Sequence, residues 1–126
     1  MYVTSSGSVT VIWLDRERVT AAVNEAARRL AGDKPEISKI ILFGSLARGD
    51  AVPGSDADVL IVLSTSRRRF LNRIPEYTLS DVPVGVDIFP YTEKELSRML
   101  AEGNPFIRQA VSEGIILFER KIPSDG

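Results

Sequence analysis

Three aspartates carry the chemistry available to this chain. Asp56 and Asp58 stand two apart at the mouth of the apolar run DVLIVLS (58–64), and Asp87 sits between Val86 and Ile88 in VGVDIF (84–89). Side chains of an extended strand alternate between faces, so Asp56 and Asp58 point the same way. Asp87 turns to the face opposite its aliphatic neighbours, where a carboxylate buried without a partner is costly. If the two strands are neighbours, all three acids meet, and close like charges repel unless a cation holds them. Oxygen donors without His or Cys suit Mg²⁺ or Mn²⁺, and substrate phosphates that complete an octahedron favour Mg²⁺.

The turn Gly44-Ser45 supplies the complement. Glycine lets a ligand approach the backbone closely. Ser45 offers a hydroxyl at the start of a short helix, where N–H groups attract phosphate. A phosphate cradle, paired acids and a third acid together describe two-metal phosphoryl or nucleotidyl transfer. Arg48 has two readings, a phosphate ligand or a solvated charge beside Asp50. The cluster Arg67-Arg68-Arg69, with Arg73, reads as a wet helix face rather than an anion site.

Composition narrows the alternatives. The 126 residues contain no histidine and no cysteine. That excludes a Ser-His-Asp triad, a histidine base, His-ligated zinc, thiolate chemistry and disulfides. Apolar residues make up 44% and charged residues 26%, as in a globular domain with one core. No basic-then-apolar leader and no membrane-length apolar run is present, so a cytoplasmic location and no membrane partner are expected. A net charge of -1 argues against nucleic acid as a direct partner.

The elements that must position these residues follow from periodicity. Residues 1–8 are polar and read as flexible, and VTVIWL (9–14) reads as a short strand or an apolar lead-in. From an N-cap at Asp15, Val19, Ala22, Val23, Ala26, Ala27 and Leu30 recur at helical spacing until Gly32, and Lys34-Pro35 breaks the chain. ISKIILF (37–43) and residues 58–64 read as strands, the second with the unbroken apolar character of a strand covered on both faces. A helix is expected from Arg67 to Tyr77 with Phe70, Leu71 and Ile74 on one side, then a strand at 84–89. Thr92 and Glu95 form a capping box for a helix to Ala101. The next helix, Pro105 to Glu113, is expected to bury Phe106, Ile107, Ala110 and Val111 before a last strand, IILFE. The alternation predicts a small α/β domain with helices packed on a sheet.

GSLARGDAVPGSDADVLIVL, with Gly-Ser followed by ten residues and DAD, resembles the signature of the polymerase beta-type nucleotidyltransferase superfamily. The short chain is similar to its minimal branch, the MNT proteins, over residues 17–119. Residues 1–16 match nothing in that pattern. The resemblance implies a single domain (1–126) with a polymerase beta-like α/β (α+β) fold, built as a small mixed sheet with helices packed on it. It implies that Gly44 and Ser45 hold the β- and γ-phosphates of ATP or another NTP. Asp56 and Asp58 would bind both of two Mg²⁺ ions, and Asp87 would complete the one that activates the attacking hydroxyl. It also implies a partner: a HEPN-family protein, often an RNA-cleaving toxin, which the MNT member opposes as antitoxin, in some cases by AMP transfer. A different class remains beside it, a binding module that masks its toxin sterically and keeps a vestigial site. The intact acid trio favours the enzyme.

Overall fold

The structure is a computed structural model that describes residues 16–51 and 55–120. The expected flexible stretch 1–8, the segment 9–14 and the Asp15 cap lie outside the described residues. Helix α1 (Arg16–Asp33) buries Val19, Val23, Ala26, Ala27 and Ala31, the stripe that the spacing predicts. It runs one residue past Gly32, and Pro35, which lacks an N–H, ends any continuation.

Among the described residues, four strands form one mixed sheet in the order β3-β2-β1-β4. They are β1 (Ile37–Phe43), β2 (Ala57–Leu63), β3 (Val86–Thr92) and β4 (Ile115–Glu119). β1 is antiparallel to β2 and to β4, and β2 is parallel to β3. An extra residue, Ser38, interrupts the β1–β2 register between Ile37 and Lys39. A bulge of this kind switches the alternation of side chains. Ile37 therefore shares a face with Ile40 and Leu42, in the core that α1 covers with Val19, Val23 and Ala27. The other face carries Ile41, Phe43, Leu60 and Val62. It is covered by Leu96 from α4 (Glu93–Ala101) and Ala110 from α5 (Pro105–Glu113). β2 is buried on both sides, as its apolar run predicts. Each of its Val, Leu and Ile side chains contributes roughly 1.5–3 kcal/mol by leaving water.

β3 begins at Val86, two residues later than expected, and continues through Pro90 to Thr92. Proline is tolerated there because β3 lies at the sheet edge. The helix expected from Arg67 to Tyr77 is shorter and split. α3 spans Phe70–Arg73, and a 3-10 turn follows over Ile74–Tyr77. Pro75 has no N–H for an i−4 bond, which explains the break. Arg67, Arg68 and Arg69 precede the helix instead of lying on it, and Leu71 is exposed.

Arg73 overturns its expected place on a wet face. It is 4% exposed, and its guanidinium meets Glu95 in a fork, Nη1 to Oε1 at 2.7 Å and Nη2 to Oε2 at 3.0 Å. Nε also donates to Arg68 O, and Nη1 to Pro90 O. Glu95 Oε1 accepts from Thr92 N as well, completing the predicted capping box. The hydrogen bonds from Arg73 hold the Glu95 carboxyl down at about 2, against a usual 4.5.

Glu95→Gln keeps the shape of the cap but leaves the buried guanidinium without its counter-charge. The expected loss at pH 7 is about 1–2 kcal/mol, discounted because the Glu95 side chain is 38% exposed. A carboxyl depressed on folding stabilises above its unfolded value, and that stabilisation fades as pH falls from 4.5 toward 2. The gap between wild type and variant in urea titrations should therefore close over that interval.

Candidate active site

β1 ends, and β2 and β3 begin, at the same edge of the sheet. The parallel register sets Asp58 opposite Asp87, and the antiparallel register sets Phe43 opposite Asp58. Phe43, Asp58 and Asp87 thus form one row on one face. The sequence reading required β2 and β3 to be neighbours, and they are. Asp87 is exposed, so the burial cost expected for it does not arise.

Gly44 follows Phe43 with φ 81° and ψ −157°, a conformation that side chains rarely adopt. A Cβ at this position would also overlap Asp58 Oδ2. The glycine is needed twice, for the turn and for the carboxylate beside it. Ser45 opens the four-residue helix α2 (Ser45–Arg48), and its carbonyl accepts from Gly49 N at 2.9 Å and Asp50 N at 3.1 Å. From α1, Arg16 clamps the end of this helix, Nε donating to Leu46 O at 2.9 Å and Nη2 to Ala47 O at 3.2 Å.

Asp56 precedes β2 and lies against Gly85, which precedes β3. Ala57 N donates to Gly85 O at 2.8 Å, and a Cβ on Gly85 would stand 2.6 Å from Asp56 Oδ1. Neither Gly85 nor Arg16 was a sequence candidate. A glycine two residues before a strand aspartate was the signal available for the first, and nothing local marked the second.

Electrostatics couple the acids. Burial, then the charges of Asp87 and Asp56, raise the Asp58 carboxyl above the ordinary carboxylate range, and Arg48 offsets part of this. Among the described residues, no three acidic side chains converge closely enough to cage a metal. Asp56, Asp58 and Asp87 share one field, the charges of Asp87 and Asp56 both acting on Asp58. Their all-oxygen donor set and the unrelieved charge at Asp58 fit a hard divalent ion. Arg48 is paired, with Nε 3.3 Å from Asp50 Oδ2 and Nη1 3.6 Å from Glu113 Oε1. The solvated-charge reading beside Asp50 thus describes its present contacts.

A cleft of about 290 Å³ opens here. Phe43, Gly44, Ser45, Arg48 and Asp58 line one side, and Phe106, Gln109, Ala110 and Glu113 of α5 line the other. The expected burial of the α5 face holds for Ile107 and Ala110 only. Phe106 is 43% and Val111 41% exposed.

The profile of the nucleotidyltransferase domain family matches residues 23–117, and the chain belongs to that family. Its fold is similar to that of a candidate nucleotidyltransferase from Sulfolobus solfataricus, with TM-score 0.60 and 24% identity over 83% of this chain and 84% of that one. A toxin-antitoxin structure with AMP-PNP is similar at TM-score 0.56 and 21% identity, over 78% of this chain and 74% of that one. The toxin-antitoxin pair MntA-HpeT, in a variant with aspartates replaced by glutamates, is similar at TM-score 0.52 and 19% identity, over 86% and 76%. Comparison with curated proteins gives no match.

Asp58→Asn removes a charge that burial and two neighbouring carboxylates disfavour. In EDTA at pH 7 this variant is expected to melt at a higher temperature than wild type. Differential scanning calorimetry reads the sign, and a lower melting temperature would contradict the charge-repulsion account.

Proposed function

We propose that the protein is a Mg²⁺-dependent nucleotidyltransferase that moves AMP from ATP onto a hydroxyl of a partner protein, acting as the antitoxin of a HEPN-family toxin. The observation that carries this reading is the pairing of Asp58 with Asp87 beside the Gly44-Ser45 turn, in a chain of the nucleotidyltransferase family. The toxin-antitoxin relatives, one of them with AMP-PNP, support the choice of partner and nucleotide. Among the described residues no helix is long and apolar enough to cross a membrane.

In this mechanism the Gly44 backbone and the Ser45 hydroxyl orient the β- and γ-phosphates. Asp56 and Asp58 would hold both metal ions, and Asp87 would complete the one that activates the attacking hydroxyl. Bound Mg²⁺ supplies charge neutralisation and acidifies the attacking hydroxyl. The acceptor oxygen bonds to the α-phosphorus as the bond to the bridging oxygen breaks, and pyrophosphate leaves with that electron pair. The chain contains no histidine, so activation of the hydroxyl would fall to the metal that Asp87 holds, and its proton would pass to a carboxylate oxygen of Asp87 or to water.

Calorimetry should find ATP binding in Mg²⁺ or Mn²⁺ and none in EDTA. Equal affinity in both would remove the metal-site reading. Asp56→Asn and Asp58→Asn should each abolish transfer while the fold persists, since metal-based stabilisation of transition-state charge is worth several kcal/mol.

The enzyme and the masking module separate in one mixture. With ATP and Mg²⁺, a catalytic amount of protein should silence a HEPN toxin encoded beside it, and intact mass spectrometry should show AMP-sized additions to the toxin. Asp87→Ala should lose this capacity. Neutralisation that needs stoichiometric protein, ignores ATP and survives Asp87→Ala would establish masking instead.

A further inference from the structure

We propose that α5 builds the nucleoside half of the site, with Phe106 as the surface on which the nucleobase stacks. This rests on the nucleotidyltransferase reading above and assigns a subsite within it.

Three observations carry the assignment. Phe106 is 43% exposed, whereas its neighbours Ile107 and Ala110 on the same helix are 0% and 1% exposed. This ring lines the cleft that also holds Gly44, Ser45 and Asp58. Its ring is held in place. It packs edge-on to Phe43 at 5.4 Å and 82°, and tilted against Phe89 at 5.2 Å and 57°. Phe43 and Phe89 are themselves 5.6 Å apart, so Phe106 is one corner of a three-ring cluster rooted in β1 and β3. A stacking surface fixed in this way binds a flat base without first having to be ordered.

The cleft also has a direction. Its lining includes Asp58 but neither Asp56 nor Asp87. A nucleotide with its phosphates at Gly44-Ser45 extends its nucleoside across the cleft, and the opposite wall is α5. Aromatic side chains that stack bases do so with little preference among them, because every base presents a π-face. The subsite consequently supplies affinity for any nucleoside triphosphate rather than choice of base.

The test compares a ligand that has a base with one that has none. Calorimetric titrations of the full chain in Mg²⁺ would use ATP, GTP and inorganic tripolyphosphate, with Phe106→Leu and Phe106→Tyr as variants. Leucine keeps an apolar group against Phe43 and Phe89 but removes the π-face. Phe106→Leu is expected to weaken ATP and GTP alike by roughly tenfold and to leave tripolyphosphate unchanged. Phe106→Tyr should bind all three ligands as wild type does. Unchanged ATP affinity in Phe106→Leu, or equal weakening of ATP and tripolyphosphate, would overturn the stacking role while wild-type binding upholds the nucleotidyltransferase reading. A wild-type chain that binds neither ATP nor tripolyphosphate would defeat that reading, and the subsite with it. A melting temperature for each variant shows whether it is folded. If Phe106→Leu is not, Phe106→Tyr and Phe106→Met take its place, and the methionine variant must show the same selective loss.

Discussion

The parallel pairing of β2 with β3 forces one carboxylate to stand opposite another, and the rest of the structure has to tolerate that. Two unit charges 4 Å apart repel by about 1 kcal/mol in water and about 4 kcal/mol at an effective dielectric constant of 20. Asp87 is exposed, which keeps the cost toward the lower figure. Against it stand Val59, Leu60, Ile61, Val62 and Leu63, none more than 4% exposed and each contributing roughly 1.5–3 kcal/mol. One or two of these aliphatic side chains offset the repulsion. The register is therefore set by the apolar run, and the acids are carried into opposition by it.

The phosphate-side turn obeys a different constraint. A helix of four residues has too few hydrogen bonds to persist alone. α2 exists because Gly44 and Gly49 accept positive φ at its two ends and because Arg16, thirty residues earlier in the chain, satisfies its last carbonyls. The position of Ser45 is thus inherited from α1 and from the sheet together. A change at the start of α1 reaches the site through backbone carbonyls without touching any acid.

The sequence was readable where the determinants are local. Gly44-Ser45, the Asp56–Asp58 spacing and the Thr92–Glu95 cap depend on neighbours within a few residues, and the apolar run after Asp58 announces a covered strand. The pairing of β2 with β3 could be stated only as a condition, because it is decided by which strand edges remain free once the others have formed. Arg73 was misread because its partner lies 22 residues further on, and in the sequence it looks like one more member of an arginine cluster. Phe106 and Val111 were misread because helical periodicity identifies an apolar face but not how much of that face the neighbouring elements cover. Gly85 was marked only by standing two residues before a strand aspartate. Its role depends on the carboxylate of Asp56 lying against it, a contact between two different loops.

Glu95 accepts from three donors at once, the Thr92 amide and both terminal nitrogens of Arg73. Arg73 in turn bonds the carbonyls of Arg68 and Pro90. The first turn of α4, the whole of α3 and the far end of β3 are therefore tied through one carboxylate, and none of them can fray independently. In hydrogen exchange they are expected to open as one unit, with amides that lose protection together. That unit grips β3 at the end away from Asp87.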